Sequence, residues 1–379
     1  MRLLPGQRAV AMGVGEFSTF RLGPVEFGRS RAGAWRAAVG SAWHQTLRER
    51  ASAATPGARF EVPIHGRLAL RGWTIELQGR LDQVVPAGDT LCLREIKTVA
   101  GPLPRSEDDL AREYPEYFCQ LAAYLHLAPL DPAFAADLTG RAPVAELVLV
   151  DYAAGVTQTV VLAPAAAARF LERQLLALYP YLEYRWHSWQ RLAALPVRTA
   201  FAVPRPGQPA ARAALAVCQG HPGAIVFEAP TGFGKTGILL EYALARLREG
   251  HCQRLLYLTG KGTGQAPVLA QLRALLGPEP ELRYLQLRSR REHAIAAAAH
   301  TCDDRGGCRD DLEARWHAAA FDPPSLFEDG TLPVEKSRRL GAESGVCPYE
   351  ITRAALPYAE VWVCDYNYVF SPAHRGVLF

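Results

Sequence analysis

Residues Glu228–Gly237 read EAPTGFGKTG, and the chain enters them through the apolar run AIVFEA, Ala224 to Ala229. The β-branched and aromatic residues of that run predict a strand, and the apolar ILLEYALARL that follows predicts a helix. Strand, glycine-rich loop and helix form the context that a phosphate-gripping loop requires. Gly232 and Gly234 let backbone N–H groups converge on phosphate oxygens, beside Thr231. Lys235 reaches the terminal phosphates, and Thr236 offers a hydroxyl to Mg. The reading is an α/β domain that binds ATP.

The flanks extend it. Upstream, Arg205-Pro-Gly-Gln208 carries a glutamine able to read an adenine edge. Downstream, RLLYLTGKGTGQ predicts a second strand with Lys261, Thr263 and Gln265 beyond its end. In an open parallel sheet the ligand crevice lies outside the carboxyl ends of the strands, so Lys235 and Lys261 belong to one functional edge. The turn-rich FAVPRPGQPA marks a boundary between a first domain, 1–195, and a second, 196–379. Before it, YPYLEYRWHSW, Tyr179 to Trp189, offers either a surface on which bases stack or a packing seam between domains, the seam being the commoner use.

The chain has 379 residues, 49% hydrophobic and 21% charged, enough for two domains with their own cores. No apolar run reaches the roughly 18 residues of a membrane span, and no signal peptide opens the chain, so a cytoplasmic location without membrane partners is expected. The net charge of +4 permits a nucleic-acid partner without demanding one. Only Lys97, Lys235, Lys261 and Lys336 among the 42 basic residues are lysines. A chain so biased to arginine keeps lysine where a compact ammonium is needed, and three of the four fall in the motifs named here. Of the eight cysteines, the first four are scattered singly, as buried small hydrophobes are, and no disulfide framework is expected.

In the first domain, ARFEVPIHGRLAL, WTIELQGRLDQVV and TLCLREIKTV predict a three-stranded meander with turns at Arg71-Gly72 and Pro86 to Asp89. A helix around Ala34 to Arg50 precedes it and another around Tyr114 to Leu127 follows. Next come a hairpin, AELVLVDY with VTQTVVLA, and a helix from about Pro164 to Leu178. Glu95 and Lys97 in REIKT share a strand face while Ile96 turns to the core. If the Pro86 to Asp89 turn pairs its strands, Asp82 approaches Glu95. Two carboxylates at one point suit a hard divalent cation, and an adjacent lysine suits an attacking water. Gly40-Ser-Ala-Trp-His44 adds an imidazole at the end of the first helix, and Gln120 and Tyr124 lie one helical turn apart.

The ordered set His44, Asp82, Glu95, Lys97, Gln120 and Tyr124 resembles the RecB-like branch of the PD-(D/E)xK nucleases, with its GxxxH, Asp, ExK and QxxxY pattern. The resemblance spans about residues 25–190. It implies a mixed sheet flanked by helices, with His44, Asp82, Glu95 and the Ile96 carbonyl holding Mg or Mn. Lys97 would serve the attacking water, and Gln120 and Tyr124 would contact DNA or support the site. The cysteines that clamp an iron-sulfur cluster in many relatives have no counterpart in this domain.

The second domain resembles the XPD/DinG-like helicases of superfamily two, on EAPTGFGKT, Gln208, YLTGKGTGQ and the YAEVWVCDYNYVF segment, Tyr358 to Phe370. The resemblance implies a RecA-like parallel-sheet ATPase fold with an inserted cysteine-bearing segment at about 288–350. It also implies a strand-contacting role for Lys261, Thr263 and Gln265. Family members hold a 4Fe-4S cluster with four cysteines, whereas Cys302, Cys308 and Cys347 supply three here. Three readings stay open: His293 or His300 as the odd ligand, a three-cysteine cluster, or none. The chain ends at Phe379, short of the expected DEAH box, so it reads as the N-terminal part of a longer, nucleoid-associated nuclease-helicase of DNA repair. Such a protein would cut and unwind single-stranded or branched DNA 5′ to 3′. The alternative is a nuclease whose second domain binds nucleotide and DNA without hydrolysis and only positions the substrate.

Overall fold

The computed structural model describes residues 1–24, 33–218, 223–278, 282–295 and 311–372, with backbone alone for 33–41. The chain forms two compact units, one of Met1–Leu22 and Phe27–Trp186, the other of Gly23–Glu26 and His187–Phe379.

In the first unit seven strands form one mixed sheet. Strands β1 (Arg2–Leu4) and β2 (Ala9–Gly13) precede helices α1 (Val14–Thr19) and α2 (Gly33–Ala54). The meander follows as β3 (Arg59–Leu70), β4 (Trp73–Ala87) and β5 (Thr90–Val99), then helices α3 (Glu107–Glu113), α4 (Pro115–Leu127) and α5 (Pro132–Ala135). The hairpin β6 (Ala142–Asp151) and β7 (Thr157–Leu162) leads into α6 (Pro164–Ala193).

β6 shows why the sheet is covered twice. Its Leu147 and Leu149 pack with Phe118 and Leu121 of α4, whereas Val148 and Val150 pack with Ile96 of β5 and with Trp43 and Leu47 of α2. Period-two alternation therefore feeds both faces, which is why β6 reads as an almost unbroken apolar run. Each such buried leucine contributes about 2 kcal/mol.

The long strand β4 organises the rest. β3 pairs antiparallel along its length, from Arg59↔Val84 to Leu70↔Trp73. The other edge of β4 is divided: residues 74–78 pair in parallel with β2, and residues 83–87 pair antiparallel with β5. Positions 79–82 lie in the fork between those two ladders.

Helix α6 runs on where the sequence predicts an end at Leu178. Pro180 lies inside it, and a proline that removes an N–H is a reason to stop a helix in a sequence reading. Packing overrides that preference. The Tyr181 ring meets that of Phe20 at 5.6 Å and a 47° tilt, Trp186 lies under the Arg8 guanidinium, and Glu183 accepts a 2.7 Å hydrogen bond from the Trp73 indole. The aromatic stretch is thus helical, with Tyr181 and Trp186 engaged inside the first unit.

In the second unit, β8 (Leu255–Thr259), β9 (Tyr284–Gln286) and β10 (Val361–Asp365) form a parallel sheet in the order β8-β10-β9. Among the described residues its α-helices in chain order are α7 (Gln208–Val217), α8 (Lys235–Arg248), α9 (Gln265–Leu276), α10 (Leu312–Ala319), α11 (Val334–Ser344), α12 (Pro348–Ala355) and α13 (Asn367–Phe370). Val361 and Val363 of β10 bury against Leu240 and Leu244 of α8 and Leu272 of α9, while Trp362 and Cys364 bury against Trp316 of α10 and Ile351 of α12.

One predicted strand is not there. Residues 224–230 carry no regular structure, and Ile225 and Val226 are exposed. An apolar run becomes a strand only when a neighbour takes its N–H and C=O groups, and among the described residues none pairs with it.

Candidate functional site

The fork in the first unit frees backbone groups, and site side chains take them up. Asp82 Oδ2 accepts the Ile96 N–H at 2.7 Å, just past the last β4–β5 pair, Gln83↔Arg94. Tyr124 donates its hydroxyl to the Arg80 carbonyl at 3.1 Å. Gly79 makes that reach possible, since a Cβ there would stand 2.6 Å from Tyr124 Cε1. In a strand the N–H and C=O of one residue point to the same side, so the Ile96 carbonyl also faces the fork.

Around this point the predicted residues converge. Lys97 Nζ lies 2.7 Å from Glu95 Oε1, and Gln120 Nε2 donates to the same oxygen at 2.7 Å. Gln120 also reaches the Tyr124 hydroxyl, at 3.2 Å, as expected for residues one turn apart on α4. His44 lies midway along α2, not at its end as the sequence predicts, and its Nδ1 stands 3.4 Å from Asp82 Oδ1. Glu95 is 2% exposed, and its second oxygen, Oε2, is buried without a hydrogen-bond partner.

The electrostatics follow from this burial. Desolvation, opposed by Lys97 and reinforced by the Asp82 charge, pushes Glu95 up to about 7. Burial also raises Asp82, against the pull of His44, the Ile96 N–H and Lys97. Burial by itself would lower Lys97, but the charge and hydrogen bond of Glu95, with Asp82, hold it above its ordinary value. Tyr124 is pushed up to about 12, again chiefly by burial. The site is an excess of carboxylate in a poorly solvated fork, with an unsatisfied oxygen. That donor chemistry fits a divalent cation held by His44, Asp82, Glu95 and the Ile96 carbonyl.

Sequence reasoning missed Glu61. It falls opposite Asp82, between the pairs Phe60↔Gln83 and Val62↔Leu81. One donor atom each from His44, Glu61 and Asp82 lie within 4.8 Å of one another. A signal for it existed: the two-residue Arg71-Gly72 turn sets the β3–β4 register and puts position 61 across from 82. Tyr117 was missed too; Lys97 Nζ lies 5.5 Å from its ring centre.

In the second unit Gly232 and Gly234 have φ of 80° and 93°, the left-handed backbone the loop needs. Lys235 begins α8 and donates to the Pro230 carbonyl at 3.1 Å and to the Ala229 carbonyl. Gln208 is fully buried: its Nε2 donates to the Phe233 carbonyl at 2.6 Å and its Oε1 accepts the Arg205 N–H at 3.0 Å. Its amide is therefore bound to the loop. Thr231 is exposed, and Thr236 is half-buried.

Lys261 and Thr263 are exposed beyond the carboxyl end of β8. Gln265 is not with them. It is 3% exposed, and its Oε1 accepts a 2.9 Å hydrogen bond from Gln286 Nε2. A cavity of about 630 Å³ bounded by Arg198, Arg273, Tyr284 and Glu328 contains none of the predicted site residues.

Cys347 caps α12 from a fully buried position, among Trp316, Tyr349 and Ile351. Cys302, Cys308 and His300 lie outside the described residues. His293 is fully buried, its Nδ1 2.9 Å from the Ser289 carbonyl and its Nε2 buried without a partner. Such a nitrogen fits a metal-ligand role. Cys364 belongs to the core.

Residues 266–378 match the family described as DEAD_2. The general transcription and DNA repair factor IIH helicase subunit XPD of Arabidopsis thaliana is 25% identical over 186 residues, covering 41% of this chain and 24% of that protein. The chain thus spans about a quarter of the length of this curated relative. A solved structure described as "Crystal structure of SSO0001" has a TM-score of 0.27 at 17% identity, covering 44% of this chain and 75% of that one, a likeness too slight to carry an argument. The second unit therefore contains a part similar to XPD/DinG-like helicases, and its described strands form a parallel sheet packed with helices. Among the described residues no helix is long and apolar enough to cross a membrane.

Proposed function

We propose that residues 1–195 form a RecB-like, metal-dependent nuclease joined to a part, 196–379, of an XPD/DinG-like ATP-dependent DNA helicase. The observation that carries this reading is the meeting of Asp82, Glu95, Lys97, Gln120 and Tyr124 at the fork of β4, with Glu95 Oε2 buried and unpartnered. When bound there, a divalent cation supplies Lewis-acid polarisation of the scissile phosphate. Gln120 donates to the Glu95 carboxylate and to the Tyr124 hydroxyl, which is itself anchored on the Arg80 carbonyl. Lys97, held in its charged form by Glu95, offers an ammonium to the attacking water or the phosphate oxygens.

Around this centre the account extends to the rest of the chain. Lys235 and Thr236, with Thr231, Gly232 and Gly234, hold ATP and Mg, while Lys261 and Thr263 meet single-stranded or branched DNA. If a 4Fe-4S cluster is held, Cys302, Cys308 and Cys347 would be its thiolate ligands with His293 or His300 as the odd one, and the buried, unpartnered Nε2 supports His293. The setting is cytoplasmic DNA repair at the nucleoid, with unwinding 5′ to 3′.

The test is cleavage of end-labelled single-stranded DNA by the 379-residue chain with Mn. The parent cuts and Asp82→Ala does not; equal cutting by both overturns the site. A second reading is a nucleotide-binding module without turnover that only positions the DNA. DNA-stimulated ATP hydrolysis by this chain would exclude it.

A further inference from the structure

The RecB-like pattern contains His44, Asp82 and Glu95 but no residue at position 61. We propose that Glu61 is a direct ligand of the cation at the fork, which binds through His44, Glu61 and Asp82 from the solvent side. This inference rests on the proposed metal-dependent site.

Three observations support it. First, the distances suit one ion. Two donors on a cation with bonds of about 2.1 Å can stand no more than about 4.2 Å apart. His44 Nδ1 and Asp82 Oδ1 are 3.4 Å apart, and all three donors lie within 4.8 Å. The Glu61 side chain is 52% exposed, so an adjustment of a few tenths of an ångström is open to it.

Second, Glu95 is already committed. Its Oε1 takes both Lys97 and Gln120, and only the buried Oε2 remains. The outer side of the ion then needs another carboxylate. That unpartnered Oε2, on a side chain only 3% exposed, is an observation independent of the three-residue cluster.

Third, the sheet delivers Glu61 there. Carboxylates directly opposite one another on paired strands repel, and the sole cation paired with Glu61 among the described residues is Arg80, at 3.7 Å on the exposed surface. An ion between Glu61 and Asp82 turns that repulsion into coordination. One imidazole with two carboxylates favours Mn over Mg, because imidazole suits the softer ion.

The test is Mn binding to the full chain, read from the electron paramagnetic resonance signal of free Mn in parent, Asp82→Asn, Glu61→Gln and Glu61→Asn. Glu61 has φ 51°, a backbone region that asparagine tolerates, so Glu61→Asn guards against a folding artefact. Thermal midpoints report folding independently. The expected result is one Mn bound by the parent, loss in Asp82→Asn, and affinity at least about tenfold weaker in both Glu61 variants at unchanged midpoint. Parent-like affinity in the Glu61 variants with loss in Asp82→Asn overturns the role of Glu61 and leaves the site intact. Parent-like affinity in Asp82→Asn overturns the metal site itself, and this inference with it.

Discussion

Asp82 accepts the backbone N–H of Ile96 at 2.7 Å, at the point where β4 and β5 part. One oxygen of the carboxylate thus closes the sheet while the other faces His44. The two duties separate by substitution. Asp82→Asn keeps an acceptor for Ile96 and leaves the urea midpoint near that of the parent. Asp82→Ala orphans a buried N–H and costs about 1–3 kcal/mol in the same titration. Equal stability of the two variants would contradict the capping role.

Glu360 holds an equivalent place in the second unit. Fully buried at the foot of β10, it accepts from Ser188, from Arg191 at 3.2 Å and from the Arg283 N–H at 2.7 Å. Breaking a buried ion pair on one side costs about 3–5 kcal/mol. Glu360→Leu should lower the stability of this unit by that order, measured by chemical denaturation, with a smaller loss for Glu360→Gln.

The nucleotide loop distinguishes its two glycines. A Cβ at Gly234 would stand 2.4 Å from Phe201 Cζ, whereas at Gly232 nothing lies within 4 Å. Both have positive φ, so alanine strains each by about 1–2 kcal/mol. Gly234→Ala should abolish binding of a fluorescent ATP analogue, and Gly232→Ala should only weaken it. The reverse order would contradict the packing of Phe201 under the loop.

Two buried thiols report on the two cores. Burial pushes Cys119 and Cys364 up to about 12 each. At pH 8 the thiolate fraction is then about 1000-fold below that of an ordinary cysteine, and alkylation slows in proportion. The sign for stability follows: the unfolded thiols ionise from about pH 9, so stability declines above that pH. Mass-mapped iodoacetamide labelling should leave both unmodified until denaturant is added; rapid labelling in native buffer would contradict their burial.

Much of the first unit is legible in its sequence because local and tertiary preferences agree there. Period-two runs, tight turns and one-turn spacing on α4 predict the meander and the set Glu95, Lys97, Gln120 and Tyr124. Glu61 escaped because a lone acid on a strand looks solvated until the Arg71-Gly72 register is carried nine residues along. The helix past Pro180 escaped because proline's local cost is outweighed by contacts to Phe20, Arg8 and Trp73. The strand at 224–229 failed in the other direction: its apolar residues promise a strand, but pairing depends on a neighbour that local sequence does not specify. Gln265 sits in the right motif, yet the helix start turns it inward to Gln286.

The most direct test compares Mn-dependent cleavage of single-stranded DNA by the parent, Lys97→Ala and Lys235→Ala. The two lysines belong to different units and to different chemistry. Loss of a group that assists proton transfer or charge development lowers the rate about 10²–10⁴-fold. The account predicts a fall of that size in Lys97→Ala and a parent-like rate in Lys235→Ala. Undiminished cleavage by Lys97→Ala would contradict it.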